Sequence, residues 1–201
     1  MEEYKQRIKQ QALDRNIGAL FHFTNLANLE SIIDHGLVQR GVLDEATHPY
    51  AATDNARFDG RLNTVSLSIS DVNYAMFASK RRRFPDANWV VLLLAPAILW
   101  SKDCRFCERN AASREMISKH GAQAGPNSFR HLFIDDYSPF PARNDAEVLV
   151  YGQIEPSFIR AGWTDGKHLA IYVQKQLDRI SGEDLPTYIC PFDWPGLYRE
   201  E

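Results

Sequence analysis

The sequence predicts an α+β fold, and three observations lead there. Segments with strand character recur at irregular intervals between helical stretches and long loops, without the regular βα alternation of a doubly wound sheet. No GxGxxG or P-loop pattern follows any of them, so the phosphate-binding device of a Rossmann or NTPase fold is missing. No GxSxG elbow is present either. A chain of 201 residues, 44% hydrophobic and 24% charged, is long enough to bury a substantial core, and we read residues 1–201 as one domain.

Residues 2–15 have helical composition, and Asn16-Ile17-Gly18 stops them. Ala19 to Phe23 is a short apolar strand holding His22. Thr24 or Asn25 caps a helix in which Leu26, Leu29, Ile32 and Ile33 share one face. His35-Gly36 ends that helix, because glycine takes the left-handed conformation at little cost. Residues 38–63 lack hydrophobic periodicity and read as a long loop, a length that usually marks function. Val65, Leu67 and Ile69 alternate with Ser66, Ser68 and Ser70, the pattern of a half-buried strand. The next helix holds Tyr74, Met76 and Phe77 and runs into Lys80-Arg81-Arg82-Arg83. Trp89 to Leu94 is a central strand, and Pro96 to Trp100 a short helical turn. Asn110-Ala111-Ala112-Ser113 leads into a helix reaching about His120, and Ser138 to Asn144 is a proline-containing loop. Val148, Leu149 and Val150 form a buried strand with Glu147 at its start. Ile154-Glu155-Pro156 and Ile171-Tyr172-Val173 suggest two more strands, or a strand and a helix. The aromatic tail after Pro191 packs down on the body.

The net charge of -3 argues against a protein that coats duplex nucleic acid by bulk charge. The cationic run at 80–83 suits either a helix C-terminus or contact with phosphates. No apolar run approaches the roughly 20 residues of a membrane helix, and the N-terminus lacks the apolar core of a signal peptide. Three cysteines make no disulfide framework. These features lead us to expect a reducing, cytoplasmic setting without membrane association. Cys104 and Cys107 have the spacing of half a zinc site, but a full site would need distant Cys190 and either His120 or His131. We expect no bound metal.

Chemistry must therefore come from dispersed polar residues: His22, Asn28, Arg57, Tyr74 and Glu147. A histidine in an apolar run is commonly a satisfied core residue. A carboxylate at a strand start is either a solvated end or a group held rigidly at a cleft. Composition alone leaves both readings open.

Five stretches in order narrow the choice. They are His22 with Thr24, Asn28-Leu29, Ile32 and Gly36-Leu37; Arg57-Phe58-Asp59-Gly60; Ser68-Ile69-Ser70 with Asn73-Tyr74-Ala75-Met76-Phe77; Asn110-Ala111-Ala112-Ser113; and Ala146-Glu147-Val148-Leu149-Val150. Together they resemble the DarT-type ADP-ribosyltransferases over about residues 19–151, and the first is broadly similar to the His-Tyr-Glu class of such enzymes. Residues beyond about 151 carry no matching motif.

The resemblance implies an ADP-ribosyltransferase-like fold with a split, mixed or antiparallel central sheet and flanking helices. It implies a toxin that transfers ADP-ribose from NAD to a base of single-stranded nucleic acid, typically DNA with RNA as the alternative, without a metal. It further implies a cognate antitoxin and a monomer. Glu147 would be the catalytic carboxylate, beside an oxocarbenium-like transition state. Arg57 would serve catalysis or hold a phosphate through its planar fork, with Arg61 its rival. His22, Thr24, Asn28, Gly36, Ser68 and Tyr74 would contact NAD, His22 through a neutral ring nitrogen and Tyr74 by stacking. Residues 129–144 would recognise the substrate strand through Arg130, His131, Tyr137 and Arg143, with Phe140 as a further stacking candidate. The acceptor base stays open at this stage. A related enzyme acting on protein or a tRNA 2'-phosphate, or a non-catalytic module, are the alternatives.

Overall fold

The computed structural model of the chain describes residues 2–45, 62–118, 122–180 and 184–192. In order, these form α1 (Glu3–Asp14), β1 (Leu20–Asn25), a 3-10 turn (Leu26–Asn28), α2 (Leu29–His35), α3 (Arg40–Glu45), β2 (Thr64–Ile69) and α4 (Tyr74–Arg83). There follow β3 (Trp89–Leu94), α5 (Ile98–Ser101), β4 (Asp103–Cys107), α6 (Arg114–Ser118), α7 (Pro126–Arg130) and β5 (Glu147–Tyr151). A second 3-10 turn (Pro156–Phe158), β6 (Ile159–Thr164), α8 (Lys167–Leu177) and β7 (Thr187–Ile189) complete the described elements.

The seven strands lie in the order β4-β5-β2-β1-β3-β6-β7. All neighbours are antiparallel except β6 and β7, which makes the sheet mixed. The expected split takes the form of a narrow junction at its centre. β1 pairs with β3 along its whole length, from Leu20↔Leu94 to Asn25↔Trp89. It meets β2 only at Leu20↔Ile69 and Phe21↔Ser68. Beyond Phe21 the two strands share no further pair, while β2 continues along β5 from Leu67↔Val148 to Thr64↔Tyr151.

The period-two alternation of the strands sends their residues to different clusters. Leu20, Val65, Leu67, Ile69, Val90, Leu92, Val148 and Val150 face the main core, which α1, α2, α5, α7 and α8 cover. On the opposite face two smaller clusters stand apart. One gathers Phe77 of α4 with Phe21, Phe23, Trp89, Val91, Trp163 and Phe192, and the Phe23 and Phe77 rings stack at 4.7 Å. The other holds Cys107, Ala111 and Leu149 with Met116. Between them run the side chains of Ser66 and Ser68, both half-buried.

Four segments gain a definite assignment. Residues 104–107 form β4, an antiparallel neighbour of β5, where the cysteine spacing had drawn attention to metal chemistry. Three residues apart in a strand, Cys104 and Cys107 point to opposite faces and enter different clusters, so they cannot share a zinc ion. Ile159–Thr164, which carried no strand assignment, is β6, and its Gly162 is needed there: a Cβ would lie 2.7 Å from Val173 of α8. Ile171 to Val173 lies inside α8, so the helical alternative applies to it. Residues 40–45, read as loop, form α3. The tail behaves as expected as far as Phe192, which is 2% exposed in the aromatic cluster.

Candidate active site

Glu147 is the first residue of β5, opposite Cys107 of β4, and is 6% exposed. A buried carboxylate needs donors. The segment after β4 supplies them: Asn110 Nδ2 donates to Oε1 at 2.7 Å, and the Ala111 backbone N–H to Oε2 at 3.2 Å. Donors of this kind fix the direction of its lone pairs. Behind them, Arg143 Nε donates to Asp145 Oδ1 at 3.0 Å. Asp145 Oδ2 stands 3.5 Å from the Asn110 N–H, long for a hydrogen bond.

The β2–β5 register brings Ser68 next to this carboxylate. Ser66 pairs with Leu149 and Leu67 with Val148, so Ser68 is the next position, level with Glu147. Ser68 also pairs with Phe21 of β1. The junction of the two half-sheets and the start of β5 are thus one place, and its floor on the open face is serine.

His22 reaches the junction from the other face: it pairs with Leu92 of β3 on the main-core side, whereas Ser68 pairs with Phe21 on the opposite one. His22 Nδ1 lies 3.1 Å from the Ser66 carbonyl oxygen. A carbonyl only accepts, so Nδ1 carries a proton and donates to it. The imidazole thus links β1 and β2 at a level where their backbone pairing has already ended. Thr24 shares His22's side of the strand, and its Oγ1 accepts from Asn28 Nδ2 at 3.1 Å, tying the 3-10 turn to β1. Helix capping here falls to Asn25, whose side chain accepts from the Ala27 N–H at 2.9 Å.

The remaining expected site residues divide. Tyr74 opens α4, where Asn73 caps the helix by accepting from the Met76 N–H, and its ring is half-buried against the aromatic cluster. Gly36 ends α2 with φ +80°, and a Cβ there would run into the Ile154 carbonyl. That packing demand is sufficient reason for glycine, at the opposite end of α2 from Asn28. Arg57 and Arg61 lie outside the described residues.

Residues 129–144 contain the end of α7 and then an irregular loop that closes on itself, the Ala142 N–H donating to the Leu132 carbonyl at 2.7 Å. Phe129, Leu132 and Phe133 root it in the main core. Ser70 Oγ donates to the Pro139 carbonyl at 2.6 Å, so the loop is also tied to the end of β2. His131 and Tyr137 are exposed, Tyr137 at 82%, and Phe140 is half-buried. Arg130, expected to meet phosphates, donates to Asp136 with two hydrogen bonds of 2.9 and 2.8 Å in this structure. Arg143 is likewise engaged with Asp145.

Two residues that sequence reasoning assigned no role matter here. Asn110 was visible only as part of a short motif, with no sign of which group it would hold. Arg15, 1% exposed, stacks over Phe133 at 4.6 Å and donates to the Gln11 and Asp135 carbonyls and to Asp136 Oδ1. It pins the loop to α1. Asp135 and Asp136 are both held below the usual carboxylate range: Asp135 first by the Ser138 N–H and then by that of Tyr137, Asp136 first by Arg130.

Among the described residues no group of three or more His, Cys, Asp or Glu side chains is placed to hold a metal. No helix there is long and apolar enough to cross a membrane.

Comparison with known proteins bears on this arrangement. Residues 21–194 match the family model described as "ssDNA thymidine ADP-ribosyltransferase, DarT". The match extends well past residue 151, where the sequence motifs ended. No curated protein sequence matches the chain. Among solved structures, a Thermus sp. 2.9 DarT in complex with carba-NAD+ is 14% identical, with a TM-score of 0.60 over 88% of this chain and 96% of that one. The same protein in complex with ADP-ribosylated ssDNA is 13% identical, with a TM-score of 0.59 and coverages of 89% and 96%. Thermosipho africanus DarTG in complex with ADP-ribose is 16% identical, with a TM-score of 0.59 over 86% of this chain; the present chain spans 50% of that one. At these identities the likeness is one of fold.

Proposed function

The chain belongs to the DarT family of ssDNA thymidine ADP-ribosyltransferases, and on that premise we propose that it transfers ADP-ribose from NAD to thymine in single-stranded DNA with Glu147 as its catalytic carboxylate. The observation that carries this reading is the placement of Glu147. It is a buried acid aimed by Asn110 and the Ala111 N–H, level with Ser68 at the junction whose other face His22 spans.

NAD supplies the ADP-ribosyl group and a nicotinamide leaving group. The residues present suit such a molecule. His22 offers an imidazole anchored through Nδ1, Thr24 and Asn28 offer hydroxyl and amide groups one turn further on, and Tyr74 offers an aromatic face at the start of α4. The bond to nicotinamide breaks and a bond to the base forms at the same sugar carbon. Positive charge grows on that sugar between the two events, and a fixed carboxylate stabilises it there more than in the ground state. In thymidine the one ring N–H is the nitrogen not bonded to deoxyribose. Its proton must leave as the new bond forms, and Glu147 is the acceptor we assign.

We assign strand recognition to the loop at 129–144, with exposed His131 and Tyr137 as the contacts to an unpaired base. The roles of Arg57 and Arg61 follow from the family resemblance alone. We further read the chain as a monomeric cytoplasmic toxin held in check by a cognate antitoxin. Mass spectrometry of single-stranded oligonucleotides incubated with protein and NAD tests the central proposal. The expected result is one added ADP-ribose on thymine-containing DNA. Transfer to RNA alone, to protein alone, or to thymine-free DNA with equal efficiency would overturn it.

A further inference from the structure

The cationic run Lys80-Arg81-Arg82-Arg83 has no part in the site above, yet it forms the whole last turn of α4. The helix dipole accounts for a cation or two at such an end, each worth about 0.3–1 kcal/mol. Four in succession repel one another, in a chain whose net charge is -3. Their environments differ. Arg81 has a packing role: its guanidinium lies 5.1 Å from the Phe192 ring and 5.8 Å from that of Phe77, and 3.6 Å from the Asp165 carboxylate. Arg82 and Arg83 are exposed and form no ion pair among the described residues.

Arg81 and Arg82 form one side of a polar cleft of about 510 Å³, with Asn88, Trp89 and Asp165 among its other walls. Trp89 is 3% exposed, and its indole N–H finds no acceptor among the described residues. Among the described residues Asp165 is engaged by Arg81, and Arg82 and Arg83 have no carboxylate partner. The substrate loop contrasts with this, since Arg130 and Arg143 are already engaged by carboxylates. A strand crossing this acidic protein therefore meets uncompensated positive charge at the end of α4.

Position connects the cleft to the active site. α4 lies on the face of the sheet that carries Ser68 and Glu147, with Phe77 seated on Phe23 and Trp89. Tyr74 is at one end and Arg82 at the other, about 12 Å apart at a rise of 1.5 Å per residue. That separation is about three to four nucleotides at the ~3.4 Å spacing of a stacked strand, and fewer in an extended one.

We propose that the cleft at the C-terminal end of α4 is a phosphodiester site, through which Arg82 and Arg83, with Asn88 beside them, hold the backbone of the substrate strand a few nucleotides from the reacting base. This deepens the reading of the chain as a nucleic-acid ADP-ribosyltransferase and rests on it. The same chemistry would suit the pyrophosphate of NAD, and the test separates the two sources.

The experiment compares the parent with an Arg82→Gln/Arg83→Gln protein, using a single-stranded DNA of about a dozen nucleotides and a trinucleotide centred on thymine. Losing two phosphate contacts should raise KM for the long strand roughly fivefold or more at low salt. It should also flatten the dependence of log KM on log salt by about 1.4, at about 0.7 per contact on a single strand. KM for the trinucleotide, KM for NAD and kcat should stay at parent values. An Arg82→Lys/Arg83→Lys protein should recover the salt slope, which controls for any loss of fold in the glutamine variant. Equal loss on both strands, no loss on either, or a raised KM for NAD would overturn the site. A parent that modifies no oligonucleotide would overturn the proposed function itself, whereas a parent that modifies both strands with one KM would remove only the site.

Discussion

Asn110 holds Glu147 across two neighbouring segments of chain: its Nδ2 lies 2.7 Å from Oε1, while the next backbone N–H, of Ala111, takes Oε2 at 3.2 Å. Both carboxylate oxygens therefore have their direction set by the segment following β4. A group aimed in this way before the substrate arrives does not need to reorganise during reaction.

Replacing Glu147 separates chemistry from folding only with a suitable substituent. Glu147→Ala would leave the buried Ala111 N–H and the half-buried Asn110 amide without their acceptor, which costs about 1–3 kcal/mol. Glu147→Gln keeps the volume and one acceptor oxygen while removing the charge. We expect it to melt near the parent temperature and to lose roughly a hundredfold or more in single-turnover transfer, about 2.7 kcal/mol. Near-parent transfer by a folded Glu147→Gln protein would remove Glu147 from the mechanism.

On the proposed mechanism Asn110 acts through Glu147, so its loss should have a particular kinetic form. Asn110→Ala should lower kcat roughly tenfold, about 1.4 kcal/mol, with KM for NAD nearly unchanged. Asn110→Asp should be worse at neutral pH, because it sets a second negative charge beside the first. A purely structural residue would lower the melting temperature instead and leave kcat per folded molecule intact.

NAD binding is open to a direct thermal test. At a hundred times its dissociation constant a ligand adds about 2.7 kcal/mol. For a domain of this size that is a rise of about 5–10 °C in melting temperature. His22→Ala should shrink the rise. Absence of any shift at millimolar NAD would count heavily against the site.

The thiols should react unequally. Burial pushes the Cys104 thiol up to about 12, and Cys107 is also buried, whereas Cys190 is partly exposed. A thiol reagent at pH ~8 should find one fast group in native protein and three after unfolding. Two fast groups in the folded state, or stoichiometric zinc by elemental analysis, would contradict the strand placement of the pair.

Acid should loosen the 129–144 loop at a defined point. Asp135 and Asp136 have folded values below the ordinary one. A depressed carboxyl contributes stability above its unfolded value and loses it as pH falls through the folded value. The loop should therefore stay pinned from neutral pH down to about pH 4, the ordinary aspartate value, and come loose below it. The Ser138 and Tyr137 amide resonances, both bonded to Asp135, report this in a pH titration. A midpoint at or above the ordinary value would show the contacts absent in solution.

Much of the site was legible in the sequence because strand alternation is strong where it matters. The serines between Val65 and Ile69 announced a strand with one polar face, and Glu147 before Val148-Leu149-Val150 announced a carboxylate at a rigid edge. Gly36 was also read correctly as a helix stop, since φ +80° is a local demand. What local pattern could not reveal was pairing. β4 was obscured by its two cysteines, whose spacing suggests one ligand set until the pleat sends them apart. β6 was obscured by Gly162, a residue poor for strands on its own and required only because α8 lies against it. The partners of Arg130 and Asn110 depend on chain segments brought together by folding, and no periodicity encodes them.

The narrow junction between β1 and β2 has a mechanical consequence. Among the described residues, two residue pairs, the Ser70 N–H bond to the Ala19 carbonyl and one imidazole hydrogen bond are a slender seam between two stiff half-sheets. A molecule lodged along that seam supplies contacts that an ordinary sheet would obtain from its own backbone, and so acts as a temporary rung between the halves. Filling the site and bracing the framework then become a single event. Amide protection should rise on both sides of the seam, in β1 beyond Phe21 and in β2 before Ser68, when NAD binds, including at residues that never touch it.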